Sequence, residues 1–200
     1  MELTMPRHLT KPELLAGLPE IIAAPKDEGV LQGIVVRPDH GQRVEPESVA
    51  VSAAGGLEGD HWARGCWRTT YDGRPHPDVQ ICIMSARCIA LLAVERSNWA
   101  AAGDNLFLDM DLTPENLPPG QRLSLGTAVL EITAEPHNGC KSFAERYGRE
   151  ACAFVNSREG KRYRLRGIYA RVVQDGEIAV GDRVVKLAAP AQAPGQQGAA

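Results

Sequence analysis

Two hundred residues, 44% of them hydrophobic and carrying a net charge of -3, describe one ordinary domain with a sizeable core. No apolar run approaches the ~20 residues of a membrane span, and the N-terminus has charges and proline where a signal peptide needs an apolar segment. A membrane is therefore not expected, a cytoplasmic location is, and the acidic balance with only 5% aromatics argues against nucleic acid.

The chain divides into an N-terminal helical arm over 1–29, a β-rich domain over 30–187 and a disordered tail over 188–200, where Ala, Pro, Gln and Gly cannot bury enough surface to order themselves. In the arm, Thr10-Lys-Pro-Glu13 reads as a capping box opening a short helix with Leu14, Leu15, Leu18, Ile21 and Ile22 on its apolar side and Pro19 as an interruption. Val30 to Arg37 reads as the first strand, and Ser48 to Ser52 as its antiparallel partner. Gly55-Gly-Leu-Glu-Gly-Asp60-His61 is a glycine-dense turn ending in an acid and a histidine; it lacks the spacing of a nucleotide-phosphate loop. Residues 62–78, rich in Arg, Gly and Pro, form a long surface loop of the kind that lines sites.

Val79 to Met84 is nearly continuous in apolar residues, so Cys82 belongs to the core, and the following helix, near 85–97 and capped by Ser85, buries Cys88. Gly103 to Leu108 is a turn entering a strand. Gln121–Leu125 and Ala128–Thr133 form a hairpin across Gly126, and Gly167–Val173 another with Glu177–Lys186 across Asp175-Gly176. The sum is mainly β: an antiparallel β-barrel with a few inserted α-helices.

The chemistry gathers at Ala134-Glu-Pro-His-Asn-Gly-Cys140-Lys-Ser-Phe143. Phe143, Tyr147, Ala151 and Phe154 fall on one helical face over 141–156, so Cys140 stands at a helix N-terminus, where the helix dipole, Lys141 and His137 all favour a thiolate. Inert packing is the alternative for any cysteine in a chain with five, Cys66, Cys82, Cys88, Cys140 and Cys152; a loop of Gly, Asn and His offers little to pack against. The odd count and the lack of any CxxC pair point to neither a disulfide framework nor a zinc ribbon, so reduced thiols are expected.

From Lys141 to Arg171 nine Lys or Arg stand against three Glu, so this segment carries +6 and the other 169 residues -9. A solvated charged surface is one reading; the other is a site for a compact phosphate-bearing ligand, with Arg166, beside Gly167, as the first choice for a bidentate contact and Arg171 also in the segment.

Gly56-Leu-Glu-Gly-Asp60, Ala102-Gly-Asp-Asn-Leu106, Leu117-Pro-Pro-Gly-Gln-Arg-Leu-Ser-Leu-Gly126, Cys140 after a strand, and Arg166-Gly-Ile-Tyr-Ala-Arg-Val-Val173 with Gly181-Asp182 resemble, in this order, the MOSC domain, named for the C-terminal part of the molybdenum cofactor sulfurases. The resemblance spans about 30 to 187. It implies a β-barrel with one functional cysteine, assigned to Cys140, which acts as persulfide carrier or as molybdenum ligand through the molybdenum cofactor, a molybdopterin. It places Asp60 and His61, Asp104 and Asn105, and Arg166 around the cofactor; His137 and Lys141, for their nearness to Cys140, and Arg171, for its place in the basic segment, are further expected contacts. A glycine, Gly139, precedes the cysteine where many relatives have proline. The resemblance looks like a short stand-alone member, with neither the MOSC-associated N-terminal barrel nor a fused desulfurase. No covalent pyridoxal phosphate site is evident, that cofactor being a family association. The expected partners are a small-molecule cofactor or substrate and a separate sulfur or electron donor, such as a pyridoxal-phosphate-dependent cysteine desulfurase. The implied activities are reduction of N-hydroxylated bases or sulfur transfer; the competing reading is a non-catalytic anion-binding or assembly module on the same barrel.

Overall fold

The computed structural model describes residues 7–188. Ten strands follow in chain order: β1 (Glu28–Ile34), β2 (Ser48–Ser52), β3 (Gly56–Leu57), β4 (Ile81–Ser85), β5 (Leu106–Asp109), β6 (Arg122–Leu125), β7 (Ala128–Ile132), β8 (Ile168–Gln174), β9 (Gly176–Ala179) and β10 (Arg183–Lys186). Six helices accompany them: α1 (Lys11–Ile22), α2 (Trp62–Gly65), α3 (Ala86–Ala93), α4 (Lys141–Tyr147), α5 (Arg149–Asn156) and α6 (Arg158–Arg162).

Seven strands close a barrel in the order β1-β10-β6-β7-β8-β4-β5, with β5 returning to β1. Every pairing in it is antiparallel except β4 with β5, which are parallel because α3 and a 3-10 segment carry the chain back between them. Leu31, Ile83, Leu106, Leu123, Leu130, Ala170 and Val184 fill the interior. A second core lies outside, where α1, α3, α4 and α5 cover one wall with Leu14, Ile89, Leu92, Phe143, Tyr147, Ala151 and Phe154 around Met84 and Phe107. The unbroken apolar reading of β4 follows directly: Ile81 and Ile83 point into the barrel, while Met84 points into the helical layer.

Three local expectations need correction. β2 does not pair with β1. It lies in a separate sheet of order β3-β2-β9, with Ser48 opposite Ala179 and Val51 opposite Gly176, because both edges of β1 are taken by β10 and β5. Asp175-Gly176 likewise makes no hairpin, since β7 and β4 already flank β8. The chain crosses there to β2, and Gly176 passes so close to the β6–β7 turn that a Cβ would lie 2.5 Å from the Ala128 nitrogen. Finally, the helix over 141–156 is two helices. Gly148 at φ 92° breaks it between α4 and α5, yet Phe143, Tyr147, Ala151 and Phe154 remain on the buried side as their spacing requires.

In the arm, the Glu13 carboxylate accepts from the Thr10 N–H at 2.8 Å, as a capping box demands, and Pro19 is carried inside α1 without ending it. The arm packs on the domain through Leu14 and Ile21, which join the helical core. The tail expected over 188–200 lies, but for its first residue, outside the described residues. Among the described residues no helix is long and apolar enough to cross a membrane.

Candidate functional site

Beyond β1 the chain runs through Val35 and Val36 to Arg37, and the glycine-dense turn brings Asp60 up to meet it, with Gly56 and Gly59 both at positive φ. The Asp60 carboxylate accepts from the Arg37 backbone N–H at 3.0 Å, its Nε at 2.9 Å and its Nη2 at 3.1 Å, from the Trp62 N–H at 3.0 Å, and from Asn105 Nδ2 at 3.0 Å. Burial alone would raise its pKa; the Arg37 hydrogen bonds and charge outweigh this and hold it below the usual carboxylate range. Asn105 accepts from the Cys82 N–H at 3.1 Å and donates to the Val35 carbonyl at 3.1 Å, stitching β4 to the end of β1. Asp60 and Asn105 thus spend their polar atoms on the protein and hold the wall of the site.

One residue earlier, Asp104 is fully buried and accepts from Arg166 Nη1 at 2.9 Å and 2.7 Å. Arg166 also donates to the Ala102 carbonyl at 3.3 Å and lies over the Phe143 ring at 4.8 Å. Its fork is therefore engaged inside the protein, with only Nε lacking a partner among the described residues. The neighbouring Gly167, at φ 106°, admits no ligand: a Cβ there would overlap the Ile83 carbonyl oxygen, so its bareness serves strand packing. His137 stacks on Tyr169 at 4.4 Å and stops 3.6 Å from Asp104 Oδ1. Burial, then the charges of Arg166 and Arg37, push its pKa well below 6.5, so it is a neutral ring and does not polarise Cys140 as a cation. His137 and Arg166 line a cavity of about 400 Å³ with Glu135, Lys161 and Arg164.

Gly103 lines a separate, larger cleft, about 550 Å³, together with Arg37, Arg43, Arg64, Arg146, His40, His61 and Asp39. His61 Nδ1 is held 2.8 Å from the Arg37 carbonyl. Arg64 donates to the Pro38 carbonyl at 2.8 Å, Arg146 to the Ala101 carbonyl at 2.7 Å and Arg43 to the Gln42 carbonyl at 2.5 Å. Among the described residues none of these three forms an ion pair, and the buried Nε of Arg43 has no partner at all. A Cβ on Gly103 would stand 3.4 Å from Arg43 Nη2 and 3.6 Å from Arg146 Nη1, so the two guanidinium groups converge over that bare position. Burial first, and then repulsion from Arg146 and Arg37, lowers the Arg43 pKa.

Cys140 is exposed at the N-cap position of α4, the helix whose last turn carries Arg146. It lines neither cavity. Lys141 is turned to solvent and reaches Glu145 at 3.8 Å, and Arg171 pairs with Glu131 at 2.6 Å and Asp78 at 3.3 Å away from both cavities. The structure thus brings Asp60, His61, Asp104, Asn105, His137 and Arg166 together and leaves Lys141 and Arg171 outside. Sequence reasoning missed Arg37, Arg43 and Arg64. Their signal was two arginines flanking the Pro38-Asp39 and Gly41 turn, diluted in the charge count by Glu45, Glu47 and Glu58.

The model of the MOSC domain family matches residues 58–185. The chain belongs to the MOSC domain family. Solved structures share the MOSC fold at low identity. The YuaD protein of Bacillus subtilis superposes with a TM-score of 0.54 at 18% identity, covering 78% of this chain and 94% of that one. YiiM of Escherichia coli gives a TM-score of 0.50 at 18% identity over 80% of this chain and 70% of that one. No curated protein matches the chain. The arginine cleft meets the C-terminal turn of α4 through Arg146, beside the turn around Gly103, whereas Cys140 caps the opposite, N-terminal end of that helix.

Proposed function

We propose that this MOSC protein binds the molybdenum cofactor, seating its pterin phosphate in the arginine cleft, and that Cys140 is its working thiol. The observation that carries the reading is the convergence of Arg43, Arg64 and Arg146 on one cleft without a carboxylate partner among the described residues. Cations held together with their charge uncompensated cost free energy until an anion arrives, and planar guanidinium forks suit the oxygens of a phosphate. The unpartnered Nε of Arg43 is the kind of buried donor such a group would satisfy.

Among the described residues no three His, Cys, Asp or Glu side chains could hold a metal ion. Molybdenum would therefore come held by its pterin and take a single sulfur, that of Cys140, from this chain. When bound, the cofactor supplies two-electron chemistry of the kind that reduces N-hydroxylated bases, given a redox donor protein. The chain's own part is to orient the phosphate, to keep Asp60 ionised and occupied by Arg37, and to keep His137 neutral beside the Asp104–Arg166 pair.

A second reading is favoured by the exposure of Cys140 outside both cavities. A thiol so placed can meet the surface of another protein, as a persulfide carrier loaded by a cysteine desulfurase must. Protein purified from a molybdate-fed host separates these. Bound molybdenum with pterin fluorescence supports the cofactor reading, and the double variant Arg43→Ala, Arg146→Ala should then retain about tenfold less or lower still, since each charge-assisted contact is worth roughly 1.5 to 3 kcal/mol. A persulfide confined to Cys140, without pterin, supports the carrier. Neither species under either condition leaves the anion-binding module.

A further inference from the structure

Behind the Cys140 loop stands a second sulfur. Cys152, half-buried on α5, places its Sγ 3.7 Å from the Cys140 carbonyl oxygen. A carbonyl oxygen lies about 2.4 Å from its own Cα, so the Cys152 sulfur is within about 6 Å of Cys140 Cα, and a bridge requires the loop to bring the two sulfurs to about 2 Å. The loop is clamped over this sulfur by Asn156. The Gly139 N–H donates to Asn156 Oδ1 at 2.9 Å, and Asn156 Nδ2 donates to the Gly139 carbonyl at 3.0 Å and to Cys152 Sγ at 3.5 Å. Gly139 is what permits the approach. A Cβ there would come to 3.0 Å from Asn156 Nδ2 and Val155 Cγ2, and to 3.3 Å from Cys152 Sγ. Cys140 itself lies just outside α4, so its exposed thiol can rotate toward α5 without unwinding a helical turn.

We propose that Cys152 is the resolving thiol of Cys140: when Cys140 holds a sulfane sulfur, Cys152 attacks Cys140 Sγ, releases that sulfur as hydrosulfide and leaves a Cys140–Cys152 disulfide. This rests on the persulfide reading of Cys140. The bond formed is Sγ152–Sγ140 and the bond broken is Sγ140 to the sulfane sulfur, which leaves with the electron pair and takes up the Cys152 proton. The two cysteines are oxidised by two electrons and the sulfane sulfur is reduced to sulfide. An external dithiol then restores both thiols, so the donor this chemistry requires is a dithiol reductant in addition to a persulfide source. The Asn156 amide beside Sγ152 is a donor placed to stabilise the attacking thiolate.

The test uses the full chain, reduced, treated anaerobically with glutathione persulfide, and follows sulfide release and the masses of the peptides holding residues 140 and 152. Wild type should release sulfide and yield a bridged 140–152 peptide, and Cys152→Ser should hold the Cys140 persulfide at least about tenfold longer with no bridge. Equal persulfide lifetimes in wild type and Cys152→Ser, with no bridged peptide, would overturn the resolving role while leaving Cys140 a carrier. If Cys140 takes up no sulfur at all, the carrier reading fails, and oxidation with diamide decides the pairing: a bridge between 140 and 152 keeps Cys152 as its partner, and its absence removes it.

Discussion

Arg166 in the smaller cavity and the arginines of the larger cleft are used in opposite ways. In the smaller one Arg166 has its carboxylate, Asp104, inside the protein, stacks on Phe143 and has a single nitrogen left over. In the larger one Arg43, Arg64 and Arg146 have only backbone carbonyls as acceptors, and the Arg43 and Arg146 guanidinium groups converge over Gly103. An arginine that already holds a buried acid contributes to the fold, and so does Arg164, whose donors go to the Leu112 and Leu117 carbonyls; Arg43 and Arg146, which converge over Gly103 without an acid, are the ones available to a ligand. Charge counted along the sequence cannot tell these apart, which is why the +6 segment from Lys141 to Arg171 places only Arg146 in the cleft.

The contrast is broken most severely by Arg166→Ala. It would strand the fully buried Asp104 carboxylate, and removing one partner of a buried pair costs about 3 to 5 kcal/mol. Urea denaturation should show that loss. A variant of unchanged stability would place Arg166 among the ligand-binding arginines. Gly167→Ala should follow, losing roughly 1 to 3 kcal/mol to backbone strain at φ 106°, with the clash against Ile83 adding to it. Thermal unfolding checks this, and an effect on cofactor retention without loss of stability would restore the close-approach role for that glycine.

On the cleft side the effect moves from stability to binding. Arg146→Ala should cost only about 0.5 to 1.5 kcal/mol of stability, the worth of its hydrogen bond to the Ala101 carbonyl, while weakening anion binding. A smaller, pH-dependent effect belongs to His137. Its folded pKa is depressed, so the unfolded chain binds the extra proton first. The histidine's contribution is fully present above 6.5 and is lost as pH falls below that value toward the folded pKa. The slope is at most about 1.4 kcal/mol per pH unit, and His137→Gln should remove it from a series of denaturation midpoints between pH 7 and pH 5. The same slope in both proteins would mean His137 is not the group responsible.

Much of the fold was legible because it is written in short-range patterns. The period-2 alternation of 128–132 and the helical spacing of Phe143, Tyr147, Ala151 and Phe154 survive in β7 and across α4 and α5. What failed was pairing. β2 and β9 read locally as hairpin members, but partner choice is fixed by which strand edges the closed barrel leaves free. The site divided in the same manner. Asp60, Asp104 and Asn105 could be picked out, yet their role as a saturated wall depends on Arg37, which reaches Asp60 from 23 residues away in sequence. Lys141 and Arg171 were selected by their place in a charged segment, and their pairing with Glu145, Asp78 and Glu131 depends on exposed-face geometry.

On the proposed reading, uncompensated arginines, and not the basic segment as a whole, form the anion site. Calorimetric titration with inorganic pyrophosphate tests it most directly, using wild type, the double variant Arg43→Ala, Arg146→Ala, and the double variant Lys141→Ala, Arg171→Ala, each removing two cations. The claim predicts a loss of about tenfold or more in affinity for the first pair and wild-type affinity for the second, because one removes convergent contacts worth roughly 1.5 to 3 kcal/mol apiece and the other only exposed charge. Equal losses in the two variants, or none in the first, would contradict it.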